Sequence, residues 1–250
     1  MRHSAQRLTF LLVTAGLGGC AASHAIAPLE KGQSGITSSI GGPFVQYGSA
    51  PIPLPIVSVG YRYGIDGHTD VHSSIYLTQL ALFKVGGFDV GVARELLTAD
   101  GPRPRIMADL NTHWFFGDRA KTGPDGGFRF FPDLSLVATW DLGRPKHHLY
   151  VGVDNFFEVA PSFRYYPTPI LGTELKASKG LGIQLELGWN AFWKDTLPVN
   201  PVWYGPGNLG AVSVKIGFNG YFPTTKKHSS KQAAPDPVVA EPAAAPVEAP

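Results

Sequence analysis

The sequence predicts an all-β fold, an antiparallel up-and-down transmembrane β-barrel of about ten strands, with eight as the fallback count. Three observations predict it. Between residues 34 and 222 apolar and polar residues alternate with a period of two, the signature of strands with one apolar face. The alternating segments run to roughly 11–15 residues, whereas a globular strand averages about 5–6 and a tilted membrane strand needs about 9–11. The connections between them are by turns short and long, as in barrels with tight turns at one end and loops at the other.

The segments, in order, are 34–47, 55–65, 69–83, 87–97, 105–116, 128–142, 146–157, 163–177, 180–194 and 208–222. The first is interrupted by Pro43 and the eighth by Pro167 and Pro169. Proline donates no ladder hydrogen bond, so these two are expected to start late or to bulge, and the eight-strand fallback applies if they do not pair. In 105–116 the apolar face is Ile106, Ala108, Leu110, Trp114 and Phe116, opposite Met107, Asp109, Asn111 and His113. In 128–142 it is Phe128, Phe130, Leu134, Leu136, Ala138, Trp140 and Leu142, opposite Arg129, Asp133, Ser135, Thr139 and Asp141. The clearest case is 181–194, where Leu181, Ile183, Leu185, Leu187, Trp189, Ala191 and Trp193 alternate with Gly182, Gln184, Glu186, Gly188, Asn190, Phe192 and Lys194. The last segment sets Val212, Val214, Ile216, Phe218 and Phe222 against Ser213, Lys215, Gly217 and Asn219. Short connections fall at 66–68, 98–104, 143–145 and 178–179. Longer ones fall at 48–54, 117–127, 158–162 and 195–207, with 84–86 as a short exception.

Composition agrees. Charged residues make up 16% of the 250, well below the usual quarter or so. The net charge of +2 offers no argument for nucleic-acid binding. No stretch after the N-terminus approaches a transmembrane helix, so a body that enters lipid must do so as a closed barrel, the other structure that satisfies its backbone there. Aromatic residues gather at the strand ends facing the longer loops: Phe44 and Tyr47, Phe83 and Phe88, Trp114 to Phe116, Phe128, Phe130 and Phe131, Phe156 and Phe157, Phe163, Tyr165 and Tyr166, Phe192 and Trp193, Trp203 and Tyr204. Tyr61, Tyr63, Trp140, Tyr221 and Phe222 fall at the opposite ends. Two interfacial girdles are therefore expected, with Trp114, Trp140, Trp189, Trp193 and Phe222 as candidate members. If the apolar face meets lipid, the lumen receives a polar network of Arg62, His72, Glu95, Asp109, His113, Asp133, Asp154, Glu186 and Lys215, together with Tyr76, Arg105, Arg129, His148, Glu174 and Lys176. Buried charges must be paired or hydrated, so a salt-bridge network filling a narrow lumen is expected.

By pattern, residues 34–222 resemble bacterial outer-membrane β-barrel proteins as a class. Many such barrels end on an aromatic residue that guides assembly, a role the resemblance gives to Phe222, although 28 residues follow it. The N-terminus resembles a lipoprotein signal. Arg2, His3 and Arg7 precede an apolar run, Leu8 to Leu17, of about ten residues, too short for the ~20 a spanning helix needs. Leu17-Gly18-Gly19-Cys20 then matches the lipobox and contains the sole cysteine of the chain. The resemblance implies cleavage of residues 1–19 and acylation of Cys20, including a palmitate-type chain. It also implies sorting to the outer membrane, because Ala21 follows. The expected organisation is a lipidated linker at 20–33, the barrel at 34–222, and a disordered Pro/Ala-rich tail at 223–250. Anchor and tail are both expected on the periplasmic side. The implied partners are outer-membrane lipids and the barrel-assembly and lipoprotein-sorting machinery.

The expected role is structural, adhesive or weakly pore-forming, with loops 117–127 and 195–207 as the contact surface. One alternative is a lipid-anchored, soluble, lipocalin-like barrel with a ligand cavity lined by Leu185, Leu187, Val214 and Ile216. Another is an outer-membrane lipid hydrolase or acyltransferase. His72 and Ser74 share a face, as a Ser–His pair requires, but the sequence places no acidic partner beside them. Asp109 and His113 also share a face, roughly 13 Å apart along an extended strand. His147 and His148 point to opposite faces, against a two-His metal site. No cofactor, metal or catalytic residue is expected.

Overall fold

The computed structural model describes residues 24–47, 50–117, 127–143, 147–159, 163–178, 180–195 and 204–222. Cys20, the signal segment 1–19, Trp203, the tail 223–250 and most of loops 117–127 and 195–207 lie outside them. Eleven strands form: β1 (Ser34–Tyr47), β2 (Ala50–Pro53), β3 (Ile56–Gly64), β4 (Thr69–Tyr76), β5 (Gly86–Leu97), β6 (Arg105–Phe116), β7 (Phe128–Leu142), β8 (His147–Glu158), β9 (Arg164–Ser178), β10 (Leu181–Asp195) and β11 (Leu209–Phe222). Each wall strand pairs antiparallel with its sequence neighbour, and β11 returns to β1 from Ser34↔Phe222 to Pro43↔Ser213. The result is a closed ten-stranded barrel, with β2 outside the wall count.

Pro43 marks a change of partner. Below it, β1 pairs with β3 as far as Gly41↔Ile56; above it, Phe44 to Tyr47 pair with β2 as a hairpin rising beyond the wall. Gly41 makes the kink possible. Its φ is +143°, and a Cβ there would sit 2.0 Å from the Val214 carbonyl oxygen.

The apolar faces point outward. Leu110 is 60% exposed, and Leu134, Leu136, Leu149, Val151, Leu185, Ile216 and Phe218 share this outward, exposed wall, while Asp109, Asn111, Asp133, Ser135, Glu186 and Lys215 lie inside. Leu185, Leu187 and Ile216, which the soluble alternative would place around an internal ligand, are on the outside.

Two stretches depart from strict alternation. The segment expected to be one strand over 69–83 ends at Tyr76, and Leu77–Phe83 form a short helix, α1, on the long-loop rim. Thr78 ties it to β3 by donating to the Pro55 carbonyl and accepting the Val57 N–H. Leu, Gln and Ala favour helix, and Leu77, Leu80 and Leu82 remain exposed. The β4–β5 connection therefore runs from 77 to 85, and the exceptional short loop at 84–86 joins the longer set. In β10 a bulge at Ala191, φ +48°, exchanges the faces: Ala191 is 1% exposed and Phe192 38%, the reverse of the expected order. The aromatics also divide. Phe115, Phe131 and Phe156, expected in the outer girdle, turn inward with Ile56, Tyr76 and Val85 and form an apolar layer across the long-loop end of the lumen. At the other end Tyr221, also expected in a girdle, bonds Glu174 inside the barrel.

The stretch read as a linker behaves differently from His24 onward. Gln33 and Gly32 turn against Gly64 at the short-turn rim, and the chain before them folds back into the lumen. His24, Ala25, Ile26 and Leu29 are buried there, and Ala25 and Ile26 pack with Ala93, Met107, Val137, Tyr150 and Ile170. In the β3–β4 turn on the same rim, the backbone N–H groups of His68 and Thr69 bond the Asp66 carboxylate and hold it below the usual carboxylate range.

Candidate functional site: a plugged polar lumen

Period-two strands deliver the same face of every wall strand to one narrow space. The inward charges therefore meet side chains from strands distant in sequence. Their sum is a set of linked clusters, built around the inserted segment.

His24 is the centre. Its Nε2 lies 2.9 Å from Asp154 Oδ1 on β8, and its Nδ1 lies 2.5 Å from Glu186 Oε2 on β10. Carboxylates only accept, so both ring nitrogens donate and the imidazole is a cation shared by two anions. Glu186 also takes the Tyr150 hydroxyl at 3.1 Å and the Lys215 ammonium at 2.7 Å. The backbone of the segment is held as well. Gln184 donates to the His24 carbonyl, Arg62 to the Ala27 carbonyl, and the Leu29 N–H to Asp70, itself paired with Arg62.

A second cluster lies nearer the long-loop end. His72 Nε2 is 2.8 Å from Asp109 Oδ1, and its Nδ1 is 3.9 Å from Asp89 Oδ1. The Tyr76 hydroxyl donates to Asp89 at 2.6 Å and meets His113 Nδ1 at 2.6 Å. The acidic partner for His72 that the sequence could not place is thus Asp109, from β6. His72 Nε2 is taken by Asp109, and among the described residues no hydrogen bond joins His72 to Ser74, which also lines this space. Asp109 and His113 do not meet; each pairs with β4. Asp133 accepts from Ser135 through one oxygen, while its other oxygen is buried without a partner among the described residues. Glu95 pairs with Arg105 and with His68 at the short-turn rim, and Arg129 pairs with Glu158 at the other end. Glu174 gathers Lys176, Asn219, Gln184 and Tyr221.

Among the described residues the spaces beside these clusters are small. A cavity of about 20 Å³ lies among His24, Arg62, His72, Asp109 and Asp133, and another of about 10 Å³ beside Glu186 and Lys215. Each is of the size of about one water molecule. No group of three or more His, Cys, Asp or Glu side chains suited to a metal ion occurs among the described residues.

The network has residues that sequence reasoning missed. Asp89 and Tyr150 lie on the inward faces of β5 and β8, so alternation could have found them. Asp70, the second residue of β4, shares the inward parity of His72 and Tyr76, so alternation could have found it as well. His24 gives no signal, because a short aperiodic stretch before the first strand carries no face. Tyr150 has a further requirement: its ring lies over Gly172, where a Cβ would come 2.2 Å from the ring. Gly172→Ala is expected to displace that ring and its bond to Glu186, lowering the barrel's melting temperature in detergent by several degrees, read from the shift between folded and unfolded bands on cold and heated gels.

Outside, Trp114 packs with Phe88, Phe128 and Phe130, and Trp193 with Tyr165 and Phe192, at the long-loop end; Trp189 contacts Phe192 just below. Trp140 and Phe222 face out at the short-turn end with Tyr61 and Tyr63. An apolar exterior between two aromatic belts, closed around a charged lumen, is the reverse of a water-soluble barrel.

The fold is that of an outer-membrane β-barrel.

Comparison with solved structures returns similar architectures at low identity. The translocator domain of the autotransporter NalP from Neisseria meningitidis aligns with a TM-score of 0.44 and 9% identity, over 88% of this chain and 98% of that one. An outer-membrane channel from Pseudomonas putida F1 gives 0.43 and 8%, over 81% and 100%. The outer-membrane protease OmpT from Escherichia coli gives 0.35 and 11%, over 77% and 94%. No family model and no curated protein sequence matches the chain.

Proposed function

We propose that this barrel is an outer-membrane lipoprotein with a structural and surface-presenting, adhesive role, whose lumen is closed at rest. The observation that carries the reading is the double closure of the lumen. An aromatic layer of Tyr76, Phe115, Phe131 and Phe156 crosses one end, and the segment from His24 to Leu29 fills the other. A steady solute channel would need a continuous water path. The paired carboxylates, histidines and lysine instead hold the wall strands to the inserted segment. Weak pore formation then requires that the segment leave and that the aromatic layer open. The placement of His72 between two carboxylates supports a structural role for it over activation of Ser74.

In this reading the loops at the 117–127 and 195–207 end face outward from the cell, and the Leu17–Cys20 lipobox supports acylation of Cys20. The short-turn end, with the tail after Phe222, faces the periplasm, where the sorting and assembly machinery acts. The test is conductance in planar lipid bilayers. The full chain is expected to show little steady current, and a variant lacking residues 24–30 and carrying Phe115→Ala and Phe131→Ala, so that both closures are removed, to show discrete openings. Equal, steady conductance from both proteins would refute the closed lumen. The same preparations, probed for binding to host-cell surface material with and without loop 117–127, test the adhesive part.

A further inference from the structure

The wall is not equally paired all the way round. β9 and β10 are joined from Leu181↔Ser178 to Gly188↔Ile170, and there the ladder stops, although β9 runs on to Arg164 and β10 to Asp195. Each strand stays attached on its other side, β9 to β8 as far as Glu158↔Arg164 and β10 to β11 without a break to Asn190↔Ala211 and, past a register shift, again at Asp195↔Leu209. Pro167 and Pro169 explain the split. Neither has an N–H to donate, and two residues apart they face the same edge. The bulge at Ala191 then turns β10 away. Across the open seam, a side-chain contact between Thr168 and Asn190, 3.3 Å, links the strands from inside.

Among the described residues nothing fills the gap. A crevice of about 320 Å³ opens there on the outer wall, lined by Pro169, Leu171, Leu187, Trp189, Pro206 and Val212. Ile170 and Gly188, the last paired residues of the ladder, form its floor. Its volume is in the range of small-ligand sites, and none of the described residues that line it is charged. Leu171 and Leu187, 48% and 51% exposed, continue the lipid-facing band below. Above it stand the girdle residues Phe192 and Trp193, and Lys194 over the Tyr166 ring at 4.8 Å. The crevice thus runs from the interface toward the midplane, as a lipid tail does.

We propose that the β9–β10 crevice is a binding site for one acyl chain of an outer-leaflet lipid. The proposal rests on the membrane-barrel reading, and the experiment separates the two. The full chain is reconstituted into dioleoylphosphatidylcholine vesicles with a trace of phosphatidylglycerol carrying a diazirine midway along one acyl chain. After illumination, adducts are mapped by peptide mass spectrometry. Residues 169–171 and 187–189 are expected to be labelled several-fold more than the outward residues Leu110 on β6 and Leu136 on β7. Val212→Trp, which fills the crevice, is expected to bring that labelling down to the level of the wall while the cold-gel mobility of the folded barrel is unchanged. Labelling that is uniform around the barrel overturns the site and leaves the membrane barrel standing. Absence of label from Leu110 and Leu136 as well overturns the membrane reading itself. Competition with unlabelled lipid A or unlabelled phosphatidylglycerol identifies the source of the chain. Competition by neither overturns the site.

Discussion

His24→Ala is expected to cost the folded barrel about 3–5 kcal/mol, the usual loss when one member of a buried ionic cluster is removed and its partners stay behind. The substitution deletes the cation between Asp154 and Glu186. Glu186 keeps Lys215 and Tyr150, but Asp154 loses the histidine, its hydrogen-bonded partner. The packing of Ala25 and Ile26 depends on the same residue, so the inserted segment loses its fixed end together with its charge. His24→Gln restores a donor without the charge and should recover part of the loss. Urea unfolding of the full chain in detergent, followed by tryptophan emission, measures both. A change below ~0.5 kcal/mol for His24→Ala would show that the segment does not hold the lumen together.

Leu110→Arg addresses the outer wall. Leu110 lies near the middle of β6, five residues from Arg105 and six from Phe116, and faces outward. Arginine at the bilayer midplane of a barrel costs about 2–4 kcal/mol, and near the interface about 0–1. Leu97→Arg, at the short-turn end of β5, is therefore the matched control. Unfolding from dilauroylphosphatidylcholine vesicles should separate the two variants by at least ~1 kcal/mol. Equal small effects would mean that the wall around Leu110 is in water.

The strand plan was legible because a membrane barrel writes one rule along its whole wall. Leu181 to Asn190, Phe128 to Leu142 and Val212 to Asn219 obey it residue by residue. Pro167 and Pro169 were legible as an interruption, though not as the open seam they produce, since pairing depends on the neighbour as well as the strand. The rule failed where another local preference competed with it. Leu77 to Phe83 has helix-forming residues at a rim with no strand partner. Ala191 takes a bulge that shifts parity by one. Aromatic residues at strand ends suit an interfacial belt and an internal layer equally, and only parity separates Trp114 from Phe115. The lumenal residues could be named from the sequence, but their partners could not. His72 with Asp109, and Glu186 with Lys215, are set by register between strands. The seat of His24 was invisible, because it is made by side chains from β8 and β10.

That seat has a consequence for the order of assembly. His24 is 130 residues from Asp154 and 162 from Glu186, whereas neighbouring wall strands meet through short turns. Contacts of such separation form late, since the intervening chain must already be arranged before they gain anything. The first described residues of the chain are thus among the last to find their place. They lock a cylinder that the later strands must already have completed.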